Sequence, residues 1–274
     1  MFQISVLISV YNGETASNFD LALKSIFDLQ TIKPDQVVIV VDGPVNNEIE
    51  DVIKKFTKNK EEVVEVVRLN ENSGLGIALK EGTKYCKGEY IVRMDSDDFS
   101  VSDRIQKLQQ FLYKNPDIDV VGSIISEFKE SPDEEKQSLR VCPLETKSII
   151  KMGRKRCPMN HVSTCIKKES LIAVGGYLSF PFHEDYYLWL RMLFNGYTFA
   201  NIPEVLVKVR TGSGFLQRRS KKAKIQNWNK LQKYMLKNNY ISHFRYIFNV
   251  VTMYVFCICP NFVKKAIYKL VLRK

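Results

Sequence analysis

Three carboxylates fall within four positions at Asp95-Ser96-Asp97-Asp98, directly after the apolar run Tyr90-Ile91-Val92-Arg93-Met94. Like charges packed this closely repel unless a cation is shared among them. Oxygen-only ligands suit a hard divalent ion, Mg²⁺ or Mn²⁺, held by one or two carboxylates together with the phosphates of a substrate. For an isolated triplet the alternative is a solvated acidic turn ahead of the helix at Asp103. Its neighbours in the sequence decide between the two. Tyr11-Asn12-Gly13 closes one apolar run, Asp42-Gly43-Pro44 closes another, and Asn72-Ser73-Gly74-Leu75-Gly76 opens a helix. Alone, each is an ordinary turn or helix cap. At the carboxyl ends of neighbouring parallel strands they would converge with Asp95 and Asp97 on one crevice, where open α/β sheets bind ligands.

These side chains need a scaffold, and the hydrophobic pattern supplies one. Val6–Val10 and Gln36–Val41 are β-branched runs bounded by turn residues, which predicts parallel strands buried on both faces. Between them Leu21, Leu23, Ile26, Phe27 and Leu29 recur at helical spacing. Further helices are expected over Glu48–Thr57, Ser73–Cys86, Asp103–Tyr113 and Glu184–Phe194, and further strands over Glu62–Leu69, Tyr90–Met94, Ile118–Ser126 and Val162–Ile166. Lys129–Lys155 lacks a clear period and reads as an excursion or a helical insertion. The alternation argues for an α/β fold built from right-handed βαβ units, with a mostly parallel central sheet flanked by helices.

With 274 residues, 45% hydrophobic and 26% charged, the composition is that of a soluble globular protein and excludes disordered, collagen-like and multi-span membrane chains. Six cysteines without a CxxC pair suggest reduced thiols in a cytoplasmic protein. The N-terminal MFQISVLISVYN has no basic n-region and no small-residue cleavage site, so it is expected to be a first strand rather than a signal peptide.

SVLISVYN, VVIVVDGP, NENSGLGIALKEG and RMDSDDFSVSDR, in this order and at these separations, resemble the nucleotide-binding half of a family 2 inverting glycosyltransferase with the GT-A fold. The resemblance covers roughly residues 3–210, with the specific motifs in 5–104. It looks closest to the bacterial enzymes that build O-antigen, capsule or exopolysaccharide repeat units, the amylovoran-type transferases among them. It implies a catalytic domain over 1–212, with nucleotide-sugar binding in 1–104 and the acceptor side in 105–212, and a basic helical tail over 213–274. Val10, Tyr11, Asp42 and Asn72 then belong to the donor nucleotide. Asp97 becomes the direct ligand of Mn²⁺ or Mg²⁺, Asp95 sits nearer the ribose and the metal's waters, and Asp98 supports both.

Relatives carry a Glu-Asp pair about 90 residues after the DxD, at a helix start, and His183-Glu184-Asp185-Tyr186 occupies that place. The resemblance makes Asp185 the general base, with Glu184 beside it. An acceptor hydroxyl is a weak nucleophile and needs its proton removed as it attacks the anomeric carbon. Acids in a helix first turn are also favoured by the dipole alone. His161, in Pro158-Met159-Asn160-His161, either contacts a phosphate or the acceptor, or is a structural histidine. Many relatives place a metal-binding histidine in a C-terminal loop, but here the corresponding Val209-Arg210-Thr211-Gly212 has none nearby. Arg210, Arg218 or Arg219 is the alternative contact, toward the donor diphosphate.

Residues 201–274 hold 16 Lys/Arg against one acid, Glu204, whereas residues 1–200 hold 25 Lys/Arg and 29 Asp/Glu, so the net charge of +11 belongs to the tail. Lys221–Lys237 has helical spacing. Tyr246–Cys259 is an apolar run too short for a transmembrane helix, which needs about 20 residues. Val263–Lys274 is amphipathic and basic. The tail therefore suits either anionic lipid headgroups at the inner face of the cell membrane or a helix pair packed on the catalytic domain. A membrane location agrees with the polyprenyl diphosphate-linked glycans that relatives use as acceptors.

The leading expectation is transfer of a sugar from a nucleotide diphosphate sugar, a UDP-sugar first, to a lipid-linked glycan. A metal-dependent nucleotidyltransferase would bring a Gly-rich, basic phosphate loop near the N-terminus, and none is present. A nucleic-acid-binding protein acting through the tail would leave the acidic half without a role, so no nucleic-acid partner is expected. No GxGxxG follows the first strand, which disfavours a Rossmann dehydrogenase.

Overall fold

The computed structural model describes residues 2–135, 137–211 and 221–259. Val263–Lys274 and the Arg218-Arg219 pair lie outside the described residues. Strands β1 (Ile4–Val10), β2 (Gln36–Val41), β3 (Val64–Arg68) and β4 (Tyr90–Asp95) are mutually parallel in the order β3-β2-β1-β4. β2 is buried along its whole length, as a strand covered on both faces must be. The covering layers are helices α1 (Ala16–Ile26), α2 (Asn47–Thr57) and α3 (Leu75–Thr83). α1 is capped by Thr15 and buries Phe19, Ala22, Leu23 and Ile26, while α2 is capped by Asn46 and buries Ile49, Ile53 and Phe56.

The second half of the sheet is mixed. β5 (Phe99–Ser100), β6 (Val120–Phe128), β7 (Ser138–Arg140), β8 (Cys165–Lys167) and β9 (Phe199–Arg210) continue the order as β4-β8-β6-β9-β5, with β7 on the side of β6. Only the β6–β9 pair there is parallel. The expected parallel character thus belongs to the half that carries the motifs. Helix α4 (Arg104–Lys114) follows β5, and α5 (Thr146–Gly153) and α6 (Lys168–Ala173) flank β8. The periodless stretch 129–155 therefore contains a short strand and a helix.

The strand expected over Val162–Ile166 is displaced. His161–Ser163 forms a 3-10 turn and the strand starts at Cys165. Ser163 Oγ donates to Asn160 O and Thr164 Oγ1 to His161 O, local bonds that tighten the chain before it can extend. Arg104, fully buried, staples this turn to β4 by donating to Arg93 O at 2.9 Å and Val162 O at 3.0 Å.

Helix α7 (Glu184–Phe194) matches its expected bounds. Its Tyr186 and Leu190 pack with Trp228, Leu231 and Met235 of α8 (Lys221–Lys237), and α9 (His243–Ile258) closes a hairpin on α8. Asn249 is buried in that hairpin, donating to Gln232 Oε1 at 2.8 Å and to Arg154 O at 2.9 Å. The described part of the tail is thus docked on α7 by its inner face.

Candidate functional site

Strand order explains where ligands must bind. β1 connects through α1 to β2 on one side, whereas β4 returns to the other side of β1, so the chain changes direction between β1 and β4 and opens a crevice at their carboxyl ends. In register, Ser9 faces Asp95. Tyr11 and the acidic loop are therefore neighbours at that crevice.

Asp95 ends β4 and accepts a bond from the guanidinium of Arg93, which is 2% exposed. Carboxylate oxygens of Asp95, Asp97 and Asp98 lie within 4.8 Å of one another. Burial pushes the Asp97 carboxyl up to about 7, with the charges of Asp95 and Glu14 adding to it. Burial, then the charges of Asp95 and Asp97, push Asp98 well above the usual range. Asp98 Oδ1 accepts the main-chain N–H of Arg210 at 2.8 Å. The donor set, all oxygen and short of positive charge, fits a hard divalent cation.

Glu14 adds a fourth carboxylate that the sequence reading did not single out. Its Oε2 accepts from Ser96 Oγ at 3.3 Å, and its Oε1 from Thr15 N at 2.8 Å. Its position one residue past Gly13, at the same sheet edge, was the available signal.

At the carboxyl end of β2, Asp42 is buried, and its two oxygens accept Ser73 N–H at 2.8 Å and Gly74 N–H at 2.9 Å. This clamp draws the two residues out of the expected helix, which starts at Leu75. Gly43, at φ +81°, has no room for a side chain, since a Cβ there would stand 2.5 Å from Asn72 N. Tyr11 and Asn72 are exposed at this rim. Val10 ends β1 with its side chain in the core, and its carbonyl accepts Asp42 N–H at 2.8 Å. Any share it has in a ligand is through the backbone.

Across the crevice, the first turn of α7 carries Glu184 and Asp185. Glu184 Cγ lies 3.2 Å from where a Cβ of Gly76 would stand, so the starts of α3 and α7 are stacked. Asp185 Oδ1 accepts Tyr186 N–H at 2.7 Å and Oδ2 accepts the Cys157 thiol at 3.4 Å. Burial, then Asp185, pushes Cys157 well above the usual thiol range, so it is a protonated donor. Tyr177 lies within electrostatic reach of both carboxylate groups. Its phenol is pushed up by burial, and the charges of Arg93, Asp185 and Asp95 all act on it.

His161 Nε2 meets Tyr177 Oη at 3.0 Å, and its ring stands edge-on to Trp189 at 5.9 Å. Burial and then Arg93 hold it well below the usual histidine range, so it is neutral. Both features favour the structural alternative for His161. Arg210 also departs from expectation. Its guanidinium donates to Asp97 O at 3.2 Å and Glu130 O at 2.9 Å and stacks 4.6 Å from the Phe128 ring. These bonds brace the acidic loop from behind instead of reaching for a diphosphate. Tyr177 and Cys157 were not singled out because their partners lie on other elements, whereas Arg93 stands two residues before its partner Asp95 on the same strand, a spacing that places both on one face.

Compared with known proteins, residues 5–175 match the description "Glycosyl transferase family 2". Amylovoran biosynthesis glycosyltransferase AmsE of Erwinia amylovora is 35% identical over 237 residues, 85% of this chain and 85% of that protein. The UDP-Gal:alpha-D-GlcNAc-diphosphoundecaprenol beta-1,3-galactosyltransferase of Escherichia coli is 33% identical over 272 residues, 99% of this chain and 97% of that protein. Among solved structures, S. aureus TarS 1–349 in complex with UDP-GlcNAc superposes with a TM-score of 0.68 over 98% of this chain and 76% of that one, at 15% identity, a likeness of fold.

Proposed function

The chain belongs to glycosyl transferase family 2, and from that premise we propose that it moves a sugar from a UDP-sugar to a polyprenyl diphosphate-linked glycan, with inversion, during assembly of a bacterial surface polysaccharide. The observation that carries this reading is the Asp95, Asp97 and Asp98 cluster at the carboxyl ends of β1 and β4. Tyr11, Asp42 and Asn72 form the nucleotide rim, with Asp42 setting the loop that approaches the ligand. Asp185 takes the proton of the acceptor hydroxyl as that oxygen bonds to the anomeric carbon and the nucleoside diphosphate leaves from the opposite face, a single displacement that inverts the centre.

Asp95 and Asp97 would hold Mn²⁺ or Mg²⁺, with Asp98 buried behind them. Such an ion supplies Lewis-acid neutralisation of the departing diphosphate. Arg93 keeps Asp95 oriented toward the crevice, and Glu14 adds negative charge at the rim. Residues 1–212 act as the catalytic domain, and 213–274 as the part that brings it to the inner face of the cell membrane. Among the described residues no helix is long and apolar enough to cross a membrane, and the outer face of α9 is apolar and exposed, which supports a peripheral association.

Calorimetric titration of UDP tests the donor site. Binding is expected with Mn²⁺ and is expected to vanish with EDTA or in Asp97→Ala. Binding indifferent to both would overturn the assignment of the acidic cluster.

A further inference from the structure

A pocket of about 360 Å³ opens where α5 ends and α9 begins, lined by Lys151, Arg154, Lys155 and Arg245 together with Tyr240 and Ser242. Four cations and no carboxylate line it, and among the described residues none of the four makes an ion pair. It is built rather than incidental. Tyr240 Oη donates to Ile150 O at 2.7 Å, the Arg154 guanidinium lies 5.7 Å from the Tyr240 ring, and Ser242 Oγ caps α9 through Arg245 N–H at 3.2 Å. The positive end of a 16-residue helix adds to the same field.

The pocket adjoins an apolar stripe. Phe244, Ile247, Phe248, Val251, Tyr254 and Ile258 recur at three- and four-residue steps along α9, and all are exposed, Phe244 at 79%. Arg245 joins the two features, its guanidinium 5.5 Å from the Phe248 ring. A free apolar stripe beside an unpaired cationic pocket matches one surface chemistry, an anionic bilayer whose acyl region takes the stripe and whose phosphate takes the pocket.

We propose that this pocket seats the phosphate headgroup of an anionic glycerophospholipid while α9 lies in the bilayer interface, a site that rests on the peripheral-membrane reading above. The placement also has a functional consequence. Lys155 precedes Cys157 by two residues, and Tyr186 Oη donates to Gly153 O at 2.5 Å, so the pocket wall is tied directly to the turn that carries Asp185. A headgroup bound there holds the acceptor side of the crevice next to the membrane from which a lipid-linked acceptor must come.

Full-length protein is floated with phosphatidylglycerol/phosphatidylcholine vesicles and with phosphatidylcholine alone, and Mn²⁺-dependent UDP binding is measured on each preparation. Lys151→Gln, Lys155→Gln and Arg245→Gln combined are expected to weaken partitioning to the anionic vesicles about a hundredfold, since each cation near such a surface contributes roughly fivefold. Lys54→Gln, Lys55→Gln and Lys58→Gln at the end of α2 are expected to change it little, and UDP binding should persist in both. Equal anionic binding by the pocket variant and the wild type would overturn the pocket while leaving the membrane reading. A wild type that ignores phosphatidylglycerol would overturn both, and one that self-associates through Phe248 without binding vesicles would assign the stripe to a second copy. Loss of UDP binding in the wild type would count against the donor site alone.

Discussion

Cys157 Sγ stands 3.4 Å from Asp185 Oδ2, so the carboxylate assigned as base is held by a thiol donor from the segment after α5 and by the N–H of Tyr186. Removing the thiol leaves one oxygen free to rotate out of line. Cys157→Ala is expected to lower kcat about three- to tenfold with the donor KM unchanged, the size of losing one ordinary hydrogen bond, since a thiol is a weak donor. Cys157→Ser, which keeps a donor, should recover part of the loss. A matching rise in KM would show that the thiol serves binding instead.

Asp185→Asn and Asp97→Ala should both abolish measurable transfer but separate in binding. Loss of a general base costs about 10²- to 10⁴-fold. Asp185→Asn is expected to retain Mn²⁺-dependent UDP binding, which Asp97→Ala should lose. Steady-state turnover and calorimetry on the same samples check the split, and near-wild-type turnover in either variant removes that residue from its role.

Asp42 holds the main-chain N–H groups of Ser73 and Gly74. Asp42→Ala is expected to destabilise the fold by roughly 1–3 kcal/mol through those orphaned donors and to raise the donor KM as residues 72–74 move. Urea unfolding gives the first quantity and initial rates the second. A lowered kcat at unchanged KM would place Asp42 outside the nucleotide rim.

The acidic cluster predicts a pH dependence whose sign follows from Asp97. Its carboxyl is at about 7 in the fold against an ordinary value of 3.8. Between those values the folded chain binds more protons than the unfolded one, so stability contributed by this group falls as pH rises. In EDTA the Tm should therefore decline from about pH 4 to pH 7, in a window set by that shift. Asp97→Asn should flatten the decline, and Mn²⁺ should reverse it at the upper end. A Tm that rises across the window in EDTA, unaltered in Asp97→Asn, would contradict this.

Much of the fold was readable because its signals are local. The apolar runs that became β1 and β2, the helical face of α7 and the carboxylates after Met94 each lie within one element, where spacing alone specifies burial. The misplacements come from polar side chains, one set local and one reaching some thirty residues along the chain. Ser163 and Thr164 bend the chain back on itself at a site where Val162 and Ile166 suggested extension, and Asp42 reaches across from β2 to shorten the helix at Leu75. Polar side chains that bond to the main chain compete with regular structure, and hydrophobic periodicity does not record them.

By itself the sequence determined the order of the elements, the type of ligand atoms after β4 and the concentration of positive charge beyond residue 200, because these depend on composition and short-range period. Only the tertiary structure decided which groups share the crevice. Register sets Ser9 beside Asp95, the stacking of α3 and α7 brings Glu184 to Gly76, and the docking of α8 and α9 on α7 turns one face of the tail inward and leaves a basic pocket and an apolar stripe outside. Such contacts join residues tens to hundreds of positions apart, so they arise from how whole elements bury their apolar faces together.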